Sequence, residues 1–298
     1  MYDVFCYGAI SLDISGKLEY SWPQSGQASA TDYKMSVGGD AAIVSIMLAG
    51  LGLKVALGGG PVGDDAMGEH IRRILKSMGV DLIAPSMGKT SISFVIIDDI
   101  GRRSSLTFHE NTPEEEIPVQ EKEIKDSKYL YVDGCYGKNS GIAAGTARDT
   151  GIPTVLNLNV PSIPYMGLFN TVIACETVSG LFSLDPGEAA ARIFDVNKDT
   201  AIVTVGEKGC FHCREKENVQ NFPAFDVEPV DTTGAGAAFA AGFIKSRLSG
   251  RNFMDSIKFA SAAGAYKCLS RGSYRIFSEA DILEFIKNIS SSHNFDIS

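Results

Sequence analysis

The chain has 298 residues, 44% hydrophobic and 21% charged, which is ample material for an apolar core and unlike a disordered or fibrous sequence. A formal net charge of −9 argues against nucleic acid or an anionic membrane surface as the main partner, while leaving room for a local pocket that takes a phosphorylated ligand. No apolar run approaches the roughly 20 residues of a membrane span, and Met1–Gly8 lacks the basic region and cleavage signal of a signal peptide, so a cytoplasmic location is expected.

In chain order, residues 2–13 read as one apolar strand ending in Gly8-Ala9-Ile10-Ser11-Leu12-Asp13. Residues 14–37 turn polar, with alternations through Leu18, Tyr20 and Trp22 and through Tyr33, Met35 and Val37, the pattern of a small accessory sheet. Gly38-Gly39-Asp40 opens an apolar helix over Ala41–Leu51. Strand Val55–Leu57 and a glycine-rich turn through Asp65 follow. The next helix, Ala66–Met78, carries Met67, Ile71, Ile74, Leu75 and Met78 on one face. Residues 90–108 form a hairpin, in which Ile92, Phe94 and Ile96 alternate, Asp98–Arg102 turns, and Leu106 and Phe108 return. Glu114–Glu116 is a solvated charge run.

From Tyr129 the rhythm is regular. Strands at Tyr129–Val132, Thr154–Leu158, Thr171–Ala174 and Ala201–Val205 alternate with helices near Ser140–Thr150 and Gly187–Phe194. Helices near Ala238–Leu248, Phe253–Cys268 and Ser278–Ile289 close the chain. This predicts an α/β fold with a mostly parallel sheet covered on both faces. One domain is expected over residues 1–298, with a lid sheet from about 14–37 and 90–110. Cys210-Phe211-His212-Cys213 lacks the second Cys/His pair of a structural zinc site, so these cysteines are expected to pack as small hydrophobes.

The stretch Val230-Asp231-Thr232-Thr233-Gly234-Ala235-Gly236-Ala237 leads into an Ala/Phe-rich buried helix. A glycine turn before a helix leaves N–H groups unpaired at the positive end of the helix dipole, a ready anion site. The same pattern also suits a close-packed turn before a core helix, and the rest of the chain decides between them.

Val37-Gly38-Gly39 before a helix, Gly59–Gly68, Leu75 with Gly79-Val80-Asp81, Thr204–Gly209, and Asp231–Gly236 with Ala238-Phe239 resemble, in that order along the chain, the motifs of the ribokinase-like (PfkB) family of carbohydrate and nucleoside kinases. The resemblance runs nearly the full length. It implies a three-layer α/β/α domain with a β-sheet lid, and ATP-dependent, Mg2+-assisted phosphoryl transfer to a substrate hydroxyl. That reaction needs positioning and charge stabilisation more than covalent chemistry. By resemblance, the N–H groups of Gly234, Ala235, Gly236 and Ala237 form an anion hole, and Asp13, Gly38, Gly39 and Asp40 hold substrate hydroxyls. Thr204, Gly206 and Gly209 border the nucleotide, whose adenine is walled by Ser261–Gly272, including Ala263, Lys267 and Gly272. Asp231 and Thr233 match positions where some relatives bind a monovalent cation such as K+.

Three departures stand out. The family's general base, an aspartate after Gly-Ala-Gly, is Ala237 here. A methyl group takes no proton, and general base catalysis is worth about 10²–10⁴-fold, so this chain is expected to be nearly inactive. The family's Asn-x-x-Glu metal-water motif is reduced to Cys175-Glu176-Thr177-Val178, leaving Glu176 as its acid, and Ile43 stands near the usual first-helix asparagine. An Asp→Ala change in a working sugar kinase suits the otherwise intact motif around Ala237. A naturally inactive binding protein, or a nucleoside kinase of the same family, are the alternatives. Asp40 is expected to cap its helix, touch substrate, or both. Asp133 ends a strand facing the same crevice. His109 follows the lid hairpin, whose turn carries Arg102 and Arg103 as solvated charges or a phosphate clamp. The lid's apolar face (Tyr20, Trp22, Phe94, Ile96) and unpaired edges predict a homodimer through the lids.

Overall fold

The computed structural model describes residues 1–19, 27–98, 103–109, 114–158, 164–177 and 183–292. Its first strand, β1 (Val4–Gly8), is an interior strand of the large sheet and is buried throughout. Val4 and Cys6 enter one core cluster and Phe5 and Tyr7 the other. A strand apolar on both faces belongs inside a parallel sheet covered on both sides. On one flank of β1 lie β4 (Val55–Gly59) and β5 (Val80–Leu82). On the other lie β8 (Leu130–Val132), β9 (Thr154–Leu158), β10 (Thr171–Cys175) and β11 (Thr200–Thr204), all parallel. An antiparallel hairpin, β12 (Cys210–Glu215) and β13 (Asn218–Phe222), finishes the nine-stranded sheet.

Helices α1 (Asp40–Gly50), α2 (Ala66–Ser77), α6 (Ala235–Leu248), α7 (Phe253–Cys268) and α8 (Glu279–Ser292) contribute to the first core cluster. Helices α3 (Glu121–Lys125), α4 (Gly137–Asp149) and α5 (Pro186–Asn197) contribute to the second. The result is the expected α/β/α stack.

Four strands form the separate lid: β2 (Ser11–Leu18), β3 (Ala30–Gly38), β6 (Ile92–Ile97) and β7 (Arg103–Phe108), in the order β3-β2-β6-β7. Its period-2 alternation sorts the two faces. Met35, Ile14, Phe94 and Leu106 lie opposite one another across the four strands. Phe94, Leu106 and Phe108 are exposed, with Phe108 edge-on to Phe94 at 6.0 Å. The other face carries Ser36, Asp13, Ser93 and Thr107 in a matching row. Tyr20 and Trp22 lie outside the described residues.

Two expectations change. The strand over residues 2–13 breaks at Ala9-Ile10: Gly8 still pairs with β4, its carbonyl accepting from Gly60 N–H, whereas Leu12 N–H pairs with Ser91 beside β6. Asp13 therefore belongs to the lid strand β2 rather than to the end of the first strand. The polar stretch over residues 214–218, which reads as a turn in the sequence, is not all turn. β12 runs through Glu215, and β13 is a polar edge strand that hydrophobic patterning does not reveal. The cysteines of that hairpin are buried, and no described group of three or more His, Cys, Asp or Glu side chains could hold a metal ion.

Candidate active site

The candidate site forms where the parallel strands end and two helices begin, a position where backbone N–H groups lack helical partners. The first helix start is Gly38-Gly39-Asp40. Gly39 has φ +87°, and a Cβ there would stand 2.8 Å from the Ile10 amide nitrogen, so only glycine makes this turn. A side chain at Gly38 would collide with the Asp13 carboxylate, which lies over it from the lid. Asp13 is buried and accepts from the Ser11 hydroxyl at 3.1 Å.

Asp133 follows β8 and is 1% exposed. Its Oδ2 accepts from the N–H groups of Ala9 (2.7 Å) and Ala41 (3.1 Å), and its Oδ1 from Cys135 N–H (3.0 Å). The carboxylate therefore ties the end of β1 to the start of α1 from below the crevice. Burial, reinforced by the neighbouring Asp40 charge, pushes its pKa up to about 6. Asp40 does not cap α1. Gly39 holds the cap position, and the Asp40 carboxylate accepts from the Tyr131 hydroxyl at 3.1 Å and from Asn157 Nδ2. Tyr131 and Asn157 had no motif to mark them. His109 is exposed just past β7, Arg102 lies outside the described residues, and Arg103 begins β7.

The second helix start is the Asp231–Gly236 turn. Val230 and Asp231 N–H both donate to the Cys268 carbonyl (2.8 and 3.1 Å). The Asp231 carboxylate accepts from Thr233 N–H and Gly272 N–H, each at 2.9 Å. Burial raises the pKa of Asp231, but these two donors, with Lys267's charge behind them, outweigh burial and hold the carboxyl below its usual range. Gly234 adopts φ +79° as the cap of α6, pressed against the Ser273 carbonyl. Ala235 N–H closes the turn on the Thr232 carbonyl at 3.2 Å, so it is not an open anion donor as expected. Gly236 is exposed, and no described atom lies within 4 Å of a Cβ added to it. Ala237 is 3% exposed and packs in the first core cluster. Lys34, on the same β3 face as Ser36, brings its Nζ to 3.5 Å from the Cβ position of Gly272. The polar face of the lid thus reaches the loop at Gly272, whose N–H donates to the Asp231 carboxylate. The alternation of Lys34 and Ser36 with Tyr33 and Met35 was the available signal for it.

Thr204 ends β11 opposite Cys175, and its hydroxyl donates to the Ala174 carbonyl at 3.2 Å. Gly206 (φ +57°) and Gly209 (φ +90°) shape the next turn, and Glu176 is exposed just past β10. Val178 lies outside the described residues. Two expected nucleotide contacts are corrected. Ala263 is fully buried against Gly242 in the α6–α7 interface. Lys267 is fully buried too, and its Nζ donates to the carbonyls of Asp231 (2.9 Å) and Ser270 (3.2 Å). Asp231, matched with Thr233 to a monovalent-cation position, therefore has its carbonyl and both carboxylate oxygens already engaged by protein donors, the N–H of Thr233 among them.

Comparison with known proteins fits this geometry. The pattern described as pfkB family carbohydrate kinase matches residues 1–153 and 175–280. An ATP-dependent ribose-1-phosphate kinase of Halopiger xanaduensis is 31% identical over 280 residues, covering 89% of this chain and 91% of that protein. A ribokinase of Haemophilus influenzae is 27% identical, covering 94% and 97%. Among solved structures, Arabidopsis thaliana ribokinase complexed with ribose and ATP superposes with a TM-score of 0.83 over 96% of this chain and 99% of that one, at 20% identity. Thermotoga maritima ribokinase gives 0.83 over 97% and 100%, also at 20% identity. The structural likeness shows a ribokinase-like fold, and the sequence matches show the kinship. The chain belongs to the PfkB family of carbohydrate kinases.

Proposed function

We propose that this chain binds ATP and a sugar or sugar derivative between the phosphate turn and the lid, and that as written it holds both better than it joins them. The turn at Gly234–Ala237 carries this reading. Its glycine-built backbone starts a 14-residue helix, with Gly236 exposed and open space where its Cβ would be, which suits a phosphoryl group in transfer. Asp13 and the Ser36–Ser93 row face the crevice from the lid and suit a polyhydroxylated acceptor, with Asp133 and Asp40 holding the α1 start in place. His109, exposed just past β7, is a further substrate contact in this reading. Thr204, Gly206, Gly209 and Gly272 border the nucleotide. The names of the relatives, ribose-1-phosphate kinase and ribokinase, support a sugar acceptor.

Mg2+ bound to the nucleotide phosphates would neutralise developing charge. Glu176, exposed just past β10, would hold its water shell, in keeping with an ion that keeps most of its waters. Ala237 supplies no base. An inactivating Asp→Ala change in an otherwise intact sugar kinase fits the preserved turn. A naturally inactive binder is the second reading, favoured by the further departures at Ile43 and Cys175. The exposed row Phe94, Leu106 and Phe108 supports a homodimer through the lids. No described helix is long and apolar enough to cross a membrane, and dependence on ATP favours a cytoplasmic site of action.

Calorimetric titration with MgATP and a panel of sugars, sugar phosphates and sugar acids tests the proposal on the unaltered chain. Binding of ATP and of at least one sugar is expected. Failure to bind ATP would refute it.

A further inference from the structure

Lys267 is the only lysine or arginine among the described residues that is fully buried. An ammonium leaves water at a high cost unless oxygen atoms replace its hydration. Here they do: Nζ donates to the Asp231 carbonyl at 2.9 Å and to the Ser270 carbonyl at 3.2 Å, with the Asp231 carboxylate close enough for its pKa to feel the charge. Carbonyl oxygens drawn from two chain segments are a donor set that can stand in for the hydration shell of a monovalent cation. This cage lies at the position where the sequence resemblance places such an ion. The residues present do not fit one. The Asp231 carbonyl already takes the ammonium, and both of its carboxylate oxygens face N–H donors.

We infer that Lys267 is a tethered replacement for the monovalent cation. Its ammonium fills the oxygen cage behind the phosphate turn, so the chain needs no potassium. The geometry gives it two effects. It ties residue 231, where the turn begins, to residue 270, and through the neighbouring Gly272 and Ser273 contacts it holds Gly234 in register. It also fixes one positive charge close behind a turn built to receive an anion. The sequence signal is a lone lysine late in a helix whose other inward residues are small or apolar, Ala260, Ala262, Ala263 and Cys268.

The inference rests on the nucleotide-site reading for its consequence, while the cage itself is testable without nucleotide. Thermal unfolding midpoints are measured in potassium chloride and in choline chloride at equal ionic strength for the parent chain, Lys267→Ala and Lys267→Met. The parent is expected to show the same Tm in both salts. Lys267→Ala, which empties the cage, is expected to unfold earlier in choline and to recover about 3 °C at potassium ten times the site's Kd. Lys267→Met, which fills the cage with an apolar chain, is expected to show no such recovery. A parent Tm that rises by several degrees in potassium, or a Lys267→Ala variant indifferent to potassium, would overturn the inference. If neither variant folds, the parent decides alone: a flat potassium response supports the inference and a rising one refutes it. Absence of ATP binding in the parent would sink the nucleotide reading and leave the cation result standing.

Discussion

The two glycines of the Gly234–Gly236 turn are constrained by different things, and alanine substitutions separate them. Gly234 sits at φ +79°, and a Cβ there would overlap the Ser273 carbonyl oxygen and stand 2.8 Å from its carbon. The left-handed backbone alone costs a non-glycine residue about 1–3 kcal/mol, and relieving the overlap adds a comparable amount, so Gly234→Ala should destabilise the fold by about 2–6 kcal/mol. Gly236 lies within helix α6 with open space where its Cβ would be. Gly236→Ala should leave stability unchanged or raise it by up to about 1 kcal/mol. If the open space is where a phosphate sits, the added methyl displaces it and forfeits at least one charge-assisted hydrogen bond. ATP affinity should then fall by about 10–100-fold. Urea unfolding reads the first effect and calorimetry the second. The reasoning fails if Gly234→Ala unfolds within about 0.5 kcal/mol of the parent. It also fails if Gly236→Ala binds ATP as tightly as the parent does.

Asp133 predicts a pH signature. Its pKa is raised in the folded state to about 6, so its contribution to stability is greatest below the unfolded value near 3.8 and is lost as pH rises through 6. The parent's stability relative to Asp133→Asn should therefore fall by about 2–3 kcal/mol from pH 4 to pH 7, and a constant offset across that range would contradict the assignment. At the lid, Phe94→Asp combined with Leu106→Asp puts charge on the exposed apolar row without touching the crevice face. Light scattering should report a dimer for the parent and a single chain for the variant, and a monomeric parent would refute the lid interface.

Much of the fold was legible because its large sheet obeys simple patterning. Short strands buried on both faces, alternating with helices, leave little choice but a covered parallel sheet. The hairpin Ile92–Phe108 announced the lid by alternation. The break between β1 and β2 was hidden because the chain stays apolar through Ala9 and Ile10 while changing sheets, and periodicity does not register a change of partner. β13 was hidden because an edge strand of Asn, Gln and Val carries no core signal. In the site, the glycines were readable because turns and close approaches admit few other residues. Tyr131 and Asn157 were not, because their meeting with Asp40 spans 91 and 117 residues of sequence. Lys267 was noticed for its place near the nucleotide and misassigned, since sequence alone does not say whether a lysine late in a helix points out to a phosphate or inward to two carbonyls.

The central claim is that the phosphate turn is intact and lacks only its proton acceptor. The most direct test is Ala237→Asp, assayed for ADP production over a panel of sugars, sugar phosphates, sugar acids and nucleosides, alongside calorimetric binding of the same compounds to parent and variant. At least one compound bound by both proteins should be phosphorylated by Ala237→Asp about 10²–10⁴-fold faster than by the parent. If Ala237→Asp turns over none of the compounds that bind both proteins together with ATP, the account is contradicted.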